Sequence, residues 1–201
     1  MAEIHPTEIE NVLVIKPKRF GDARGFFSET YRADWDIAAP GLPFVQDNHA
    51  FSATPNTIRG LHFQFGPSTQ AKLLRCIAGA ILDVAVDIRR GSPTFGKCVA
   101  VELSAENNIQ LLVPHGFAHA YQTLLPDTHV LYKVDRYYDP KREGAVRWND
   151  PEVAVPWREL SSPPVLSGKD EAAPLLSGAE SPFVYDTAAP YNCRAEDPAA
   201  S

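Results

Sequence analysis

One histidine near two cations marks the stretch of this chain whose residue types best fit catalysis. Residues 58–75 read IRGLHFQFGPSTQAKLLR, so His62 lies between Arg59 and Lys72. A buried imidazole beside a positive charge can remove a proton next to a carbonyl group, while the cation stabilises the oxyanion that forms. Residue types alone nevertheless favour a histidine that is buried for structural reasons, so both interpretations stay open at this point.

Short strands must position these side chains. Apolar and polar residues alternate over 58–64, and residues 81–88 (ILDVAVDI) place apolar side chains on one face and Asp83, Ala85 and Asp87 on the other. Many such segments, separated by turns about every ten residues, are typical of an all-β sandwich or barrel. The 18 prolines agree with many turns and argue against long helices.

Two further predicted strands carry polar side chains on a single face. Gln46 and Asn48 share one face of the strand predicted over 43–52, and His119 shares a face with Tyr121. Amides that face a barrel interior can hydrogen-bond to a nucleobase or a sugar, whereas amides that face solvent do not indicate a binding site.

Length and composition indicate one globular domain. The 201 residues suffice for a well-buried core, which we predict over 1–185, with an arm over about 1–30 at a dimer interface and a flexible tail over 186–201. One or two helical turns are expected over 33–39.

Charge, hydropathy and cysteine usage indicate which partners do not suit this chain and which cellular compartment does. The net charge of −6 argues against a nucleic-acid surface. The N-terminal MAEIHPTEIE lacks the apolar core of a signal peptide, and no apolar run approaches the roughly 20 residues of a membrane span. Three widely spaced cysteines without a CxxC motif predict a reducing, cytoplasmic location.

Other chemistries need motifs that this sequence lacks. Metal-binding cupin barrels present His-x-His on one strand, but the corresponding place here reads His62-Phe63-Gln64, with Lys72 where a carboxylate is expected. No serine nucleophile elbow, no cysteine with a neighbouring histidine and no glycine-rich phosphate loop is present. The residues therefore favour acid–base chemistry without a metal or another cofactor.

An ordered series of short motifs points to a family. From about residue 4 to about residue 176 the chain contains RGFFSETYR, QDNH, RGLHFQ, KLLRCIAG, DVAVDIRRGSPTFG, VELSAENN, GFAHAYQTL, LYKV, YYDP and LSGKDEAAPLL, in this order. Together they resemble the dTDP-4-dehydrorhamnose 3,5-epimerase family. The resemblance implies a cupin-type double-stranded β-helix, a jelly-roll barrel, that works as a homodimer without a cofactor.

The resemblance also implies a reaction and a role for each catalytic residue. The family inverts C3 and C5 of a 4-keto-6-deoxy sugar carried on dTDP, and both carbons flank the C4 ketone. By resemblance, His62 is the base, Asp170 fixes its tautomer, Lys72 stabilises the enolate, and Tyr132 returns a proton from the opposite face.

A larger set of positions is assigned to substrate binding by the same resemblance. These are Arg24, Phe27, Glu29, Gln46, Asn48, Arg59, His119, Tyr138, Glu143 and Lys169. The guanidinium groups suit a diphosphate, Tyr138 is expected to stack on thymine, and Glu29 is expected to reach the nucleotide of a neighbouring subunit.

Two details depart from a simple match. A straight strand puts Arg59 and His62 on opposite faces, so Gly60 must bend or bulge the strand if both reach one pocket. Residues 119–124 read HAYQTL, where the best-known members have glycine after the histidine and then an aromatic residue. A single-centre epimerase or ketoisomerase on a related sugar therefore remains the alternative. A non-catalytic sugar-nucleotide-binding cupin is disfavoured because all the catalytic residue types are present.

Overall fold

The computed structural model of the chain describes residues 2–35, 43–178 and 180–198. The described residues form strands β1 Glu3–Pro6, β2 Leu13–Lys16, β3 Arg19–Asp22, β4 Gly25–Ser28, β5 Gln46–Ser52, β6 Ile58–Gln64, β7 Lys72–Ala78, β8 Ala80–Asp87, β9 Cys98–Ser104, β10 Gln110–Val113, β11 Phe117–Thr123, β12 Thr128–Val134, β13 Glu143–Ala145, β14 Phe183–Tyr185 and β15 Cys193–Ala195. They also form one short helix, α1 Gly168–Glu171, and 3₁₀ turns at Gly66–Ser68, Leu176–Gly178 and Pro190–Asn192.

Two antiparallel sheets face each other and form the barrel. The strand order is β1-β2-β10-β7-β12-β5 in the larger sheet and β13-β6-β11-β8-β9 in the smaller one. The hairpin β3–β4 and the pair β14–β15 are separate two-stranded sheets. The predicted all-β, jelly-roll fold with short peripheral helices is therefore confirmed.

The barrel interior is filled by alternate residues of both sheets. Leu74 and Leu111 of the larger sheet pack there with Ile81 and Ala85 of the smaller one. Because side chains alternate along a strand, the residues between these apolar positions point outward. Both sheets therefore contribute one face to the interior, and this shared face is where an enclosed site can form.

The outer face of the smaller sheet carries a second core. Val84 and Val86 of β8 pack there with Ala118 of β11, against Val146 and Val153 of the segment that follows β13. This cover explains why every residue of β8 is buried. Because the apolar face of β8 is covered from outside, its carboxylates are turned toward the barrel interior.

A bulge at Gly60 brings Arg59 and His62 to the same face of β6. His62 pairs with His119 and Arg59 pairs with Tyr121, so three steps along β6 match two steps along β11. Gly60 has a φ of +117°, and a Cβ at this position would lie 2.4 Å from the carbonyl oxygen of His119. Only glycine tolerates both conditions, and the predicted bend of the strand is confirmed.

The N-terminal part adds edge strands and a projecting hairpin. Strands β1 and β2 extend the larger sheet, whereas β3–β4 leaves the rings of Phe20, Phe26 and Phe27 between 48% and 67% exposed. Of the helical turns predicted over 33–39, residues 36–39 lie outside the described residues.

The C-terminal residues lie against the barrel as far as the structure describes them. Tyr191 and Cys193 are buried, and Arg89 Nη1 donates to the carbonyl oxygen of Tyr191 at 3.0 Å. The domain limits and the flexibility of 186–201 stay predictions. Within the described ranges, no helix has the length and apolar character that crossing a membrane requires.

Candidate functional site

A histidine–aspartate pair lies at the centre of the site. His62 comes from β6, next to the Gly60 bulge, and Asp170 comes from α1, whose N-cap is Ser167. The Nε2 of His62 is 2.5 Å from Asp170 Oδ1, and Ser167 Oγ donates to Asp170 Oδ2 at 2.8 Å. An Nε2–H that donates to this carboxylate leaves Nδ1 with the lone pair, so Nδ1 is the atom that can accept a proton.

The protonation state of Asp170 fits this pairing. Burial by itself would raise the pKa of the carboxyl, but the hydrogen bonds from His62 and Ser167 outweigh it and hold the pKa below its ordinary value. Asp170 is therefore ionised at neutral pH, and it both orients the imidazole and stabilises its protonated form.

Lys72 supplies a positive charge beside the histidine. It begins β7, and its Nζ donates a long hydrogen bond of 3.4 Å to the carbonyl oxygen of His62. Burial lowers the pKa of Lys72 to about 8, while the charges of Asp83 and Glu143 oppose that shift. The ammonium group is thus charged at neutral pH and weakly solvated, which strengthens its action on a nearby oxyanion.

Tyr132 enters the same cavity from the larger sheet. It lies on β12 opposite Asn48 of β5, and Gln46 lies opposite Val134, so the two amides and the phenol share the interior face. Burial raises the pKa of Tyr132, which keeps the phenol protonated as a proton donor. The cavity measures about 340 Å³ and is lined by Gln46, Asn48, His62, Phe63, Gln64, Gln70, Lys72, Tyr132, Tyr138 and Glu143.

A second histidine–carboxylate pair lies behind the first. His119 of β11 faces His62 across the strand pair, and its Nε2 is 2.7 Å from Oδ1 of Asp83. Burial lowers the pKa of His119, although Asp83 opposes this. Asp83 is a residue that we did not place in the site from sequence; the available signal was a carboxylate opposite the apolar face of a strand.

The mouth of the cavity joins three of the predicted binding residues. Tyr138 Oη donates to Glu143 Oε2 at 2.8 Å, and Lys169 Nζ is 2.5 Å from the same oxygen. Burial would raise the pKa of Glu143, but these two contacts lower it. Tyr138 is 52% exposed, so part of the residue is accessible to a ligand.

The remaining predicted binding residues are not all brought to this cavity. Arg59 donates to Ser52 Oγ and to the carbonyl oxygen of Phe51 and lies on the same face of the sheet as His62. Arg24, Phe27 and Glu29, by contrast, lie in or after the exposed β3–β4 hairpin. Arg24 is ion-paired with Asp22, and Glu29 is ion-paired with Arg32.

The donor set does not suit a metal ion. Within residues 2–35, 43–178 and 180–198, no three His, Cys, Asp or Glu side chains lie close enough together to hold one. The two histidines of the site are each engaged with a carboxylate, and Lys72 adds a positive charge beside His62.

A jelly-roll barrel whose cavity holds a His–Asp pair, a buried lysine and a tyrosine defines a cupin-type acid–base enzyme. The sequence model described as dTDP-4-dehydrorhamnose 3,5-epimerase matches residues 6–178, and the chain belongs to that family. The dTDP-4-dehydrorhamnose 3,5-epimerase of Salmonella typhimurium is 50% identical over 175 residues, which are 86% of this chain and 94% of that protein.

Solved structures agree with this assignment. The enzyme of the same name from Bacillus anthracis, with TDP and PPi bound, has a TM-score of 0.82 at 45% identity and covers 87% of this chain and 99% of its own. The dTDP-6-deoxy-D-glucose-3,5-epimerase from Legionella pneumophila, in complex with dTDP-4-keto-L-rhamnose, has a TM-score of 0.83 at 42% identity. The match covers 88% of this chain and 94% of that one. A dTDP-4-dehydro-6-deoxyglucose 3-epimerase from Streptomyces bikiniensis is 37% identical over 179 residues, which are 88% of this chain and 90% of that protein.

Proposed function

We propose that this protein is a dTDP-4-dehydrorhamnose 3,5-epimerase. It inverts C3 and C5 of dTDP-4-dehydro-6-deoxy-D-glucose and gives dTDP-4-dehydro-L-rhamnose, a step of dTDP-L-rhamnose biosynthesis. Besides family membership, the observation that carries the proposal is the 2.5 Å contact between His62 and Asp170 at a cavity that Lys72 and Tyr132 also line. The contact gives a base of defined tautomer, and the other two groups supply the remaining parts of enolate chemistry.

The reaction follows from the position of the groups around the cavity. Nδ1 of His62 takes the proton from the carbon next to the C4 ketone, and the electrons move onto the ketone oxygen. Lys72 stabilises that oxyanion, because a charge held in a dry site needs little reorganisation. Tyr132, which comes from the facing sheet, returns a proton to the other side of the carbon, and the configuration inverts. Each acid or base contributes about 10²–10⁴-fold to the rate.

The nucleotide is held by groups around the same cavity. Gln46, Asn48 and His119 offer hydrogen bonds to the sugar, and Arg59 offers its guanidinium to the diphosphate. Tyr138 stacks on thymine at the mouth, where Glu143 and Lys169 fix its hydroxyl end.

The active unit is a homodimer in this proposal. Arg24, Phe27 and Glu29 lie on or after a hairpin that the rest of the chain leaves exposed, so they bind nucleotide only if the hairpin reaches another subunit. We place the enzyme in the cytoplasm, because its three cysteines are free thiols and a reducing compartment preserves them.

Proton NMR of the 4-keto sugar nucleotide in D₂O tests the function. Incubation with the wild-type protein should place deuterium at both C3 and C5, and a coupled reductase should trap the L-lyxo product. His62→Ala should remove exchange at both carbons while circular dichroism stays that of the wild type. Full activity of His62→Ala would refute the assigned base.

The same experiment separates the alternative function. Deuterium at one carbon alone would identify a single-centre epimerase, the activity named for the Streptomyces bikiniensis relative. Exchange at neither carbon by the wild-type protein would overturn the proposed reaction.

A further inference from the structure

A tyrosine hydroxyl in the barrel interior has no hydrogen-bond partner of ordinary geometry among the residues that the structure describes. Tyr121 of β11 is 4% exposed, and its Oη meets no partner of acceptable geometry within the part of the chain that the structure describes. A buried hydroxyl that is left unsatisfied destabilises a folded protein, so most such groups bind something.

The strand register places this phenol in a row of polar side chains. Tyr121 pairs with Arg59 on β6 and with Asp83 on β8. Residues that pair directly across antiparallel strands project from the same face of the sheet. Because the next row holds His62 and His119, the phenol lies one row away from the catalytic base.

The facing sheet adds Tyr132 to the same neighbourhood. Tyr121 belongs to the interior core, and Tyr132 packs against that core. The charge of Arg59 lowers the pKa of both phenols against the rise that burial causes. One guanidinium therefore acts electrostatically on both hydroxyl groups.

The guanidinium of Arg59 has no carboxylate partner. Its hydrogen bonds go to Ser52 Oγ at 3.3 Å and to the carbonyl oxygen of Phe51 at 3.0 Å. No ion pair of Arg59 occurs among the described residues. An unneutralised arginine beside an unsatisfied phenol is a natural site for an oxyanion, because both groups are donors.

The phenol remains a donor under working conditions. Burial raises the pKa of Tyr121 to about 12, and Arg59 and Ser52 only partly oppose that rise. The Ser52 hydroxyl is close enough to the phenol to lower its pKa, although among the described residues no partner meets the Tyr121 hydroxyl in the geometry of an ordinary hydrogen bond.

We propose that Tyr121 is a further substrate-binding residue, whose hydroxyl donates a hydrogen bond to a diphosphate oxygen of the sugar nucleotide beside Arg59. The inference rests on the proposed function, since it takes a sugar nucleotide as the ligand. Binding of the diphosphate gives the hydroxyl an acceptor that no described residue supplies in ordinary geometry.

Calorimetric titration of the full chain with dTDP and with unreactive dTDP-glucose tests this assignment. Tyr121→Phe should weaken the binding of both ligands equally, by about tenfold, because one hydrogen bond to a charged acceptor is lost. In the coupled assay the loss should appear in KM more than in kcat. Tyr185→Phe is the matched control, because its hydroxyl contacts Glu10 at 3.2 Å, outside the cavity; its affinities should equal those of the wild type.

Thermal unfolding of the free protein is a second test of the role of the Tyr121 hydroxyl. Removal of an unsatisfied buried hydroxyl should raise the Tm of Tyr121→Phe by about 2–4 °C. A lower Tm with unchanged affinities would mean that the hydroxyl serves packing only, and would overturn the inference.

The remaining outcomes separate this inference from the proposed function. Weaker binding of dTDP-glucose with unchanged binding of dTDP would place the contact on the sugar and refute the diphosphate assignment. Failure of the wild-type protein to bind either ligand would refute the proposed function itself.

Discussion

Burial gives His62 and His119, which face each other across β6 and β11, different properties. The side chain of His62 is 28% exposed and its partner Asp170 is 4% exposed, whereas His119 is 8% exposed and Asp83 is fully buried. Because burial lowers the pKa of His119, that imidazole remains neutral and serves as a hydrogen-bonding group. His62 is open to a substrate and backed by an ionised carboxylate, so it is the one suited to remove a proton.

The pKa of Lys72 predicts the pH above which the reaction slows. Its pKa is lowered to about 8, so the ammonium is charged below that pH and loses its charge as the pH rises through it. We therefore expect kcat/KM to fall on the alkaline side near pH 8. Lys72→Met should reduce kcat by about 10²–10³-fold at neutral pH, the loss typical of one oxyanion-stabilising group.

Lys72→Arg provides the control for that assignment, because arginine stays charged over the whole range. This variant should lose the fall near pH 8 even if its kcat is low. A pH profile of kcat/KM that keeps the same alkaline limb in Lys72→Arg would show that another group titrates there.

Tyr132 should affect inversion more than proton removal. Tyr132→Phe keeps the ring but loses the hydroxyl that returns the proton, and removal of the proton by His62 does not need it. We expect product formation to fall about 10²–10³-fold, with a much smaller loss of deuterium exchange at the reacting carbon. Parallel NMR measurements of exchange and product would contradict this division if both fell equally.

Among the elements, β6 depends on the bulge at Gly60. The bulge turns Arg59 to the face of His62, and the backbone of Gly60 also helps to lower the pKa of Asp170. One glycine therefore links the proposed base, its carboxylate partner and the arginine that we propose binds the diphosphate. A strand without the bulge would place the arginine on the outer face.

Gly60→Ala should therefore be destabilising. The positive φ and the 2.4 Å approach to the His119 carbonyl oxygen should together cost about 2–4 kcal/mol in the free energy of unfolding. Urea denaturation measures this loss. Gly178→Ala is the control, since, its chain neighbours apart, no atom of the described residues lies within 4 Å of the added Cβ; equal stability of the two variants would contradict the account of the bulge.

At the scale of the whole molecule, the barrel does not bring all the predicted binding residues together. The cavity holds the base, the lysine and the acid, but the β3–β4 hairpin projects with Phe26 and Phe27 at 60% and 67% exposed. Neighbouring apolar rings at this exposure are typical of surfaces that contact a partner and agree with the proposed homodimer. A second copy of the chain is the partner that would also bring Arg24 and Glu29 to a nucleotide.

Phe26→Asp tests that arrangement without touching an assigned site residue. Burial of a large apolar side chain contributes about 1.5–3 kcal/mol, and a symmetric dimer contains the contact twice. The dimer dissociation constant should therefore rise at least about a hundredfold, as measured by sedimentation. Leu125→Asp alters a residue that is 50% exposed in the turn between β11 and β12 and should leave the dimer intact. A monomeric wild-type protein with full activity would contradict the shared site.

The sequence by itself determined the fold class and the set of residue types suited to acid–base chemistry. Alternation of apolar and polar residues is a local property, so the strands around Gln46, Asp83 and Tyr132 were identifiable with the residues that share each face. The need for a bulge at Gly60 also followed from the sequence. Side chains alternate along a straight strand, so Arg59 and His62 would lie on opposite faces, whereas the resemblance assigns both to one pocket.

Only the tertiary structure decided which face of each strand is interior and that Asp83 is the carboxylate that meets His119. The pairing of Asp170 with His62, 108 residues apart, was expected from the family resemblance alone, and the cover of β8 comes from the segment around Val146 and Val153. Periodicity shows which side chains share a face, but the face that turns inward depends on what packs over the other one. The same packing buries Tyr121 without a partner of ordinary hydrogen-bond geometry among the described residues, because contacts between distant segments decide which polar groups find partners.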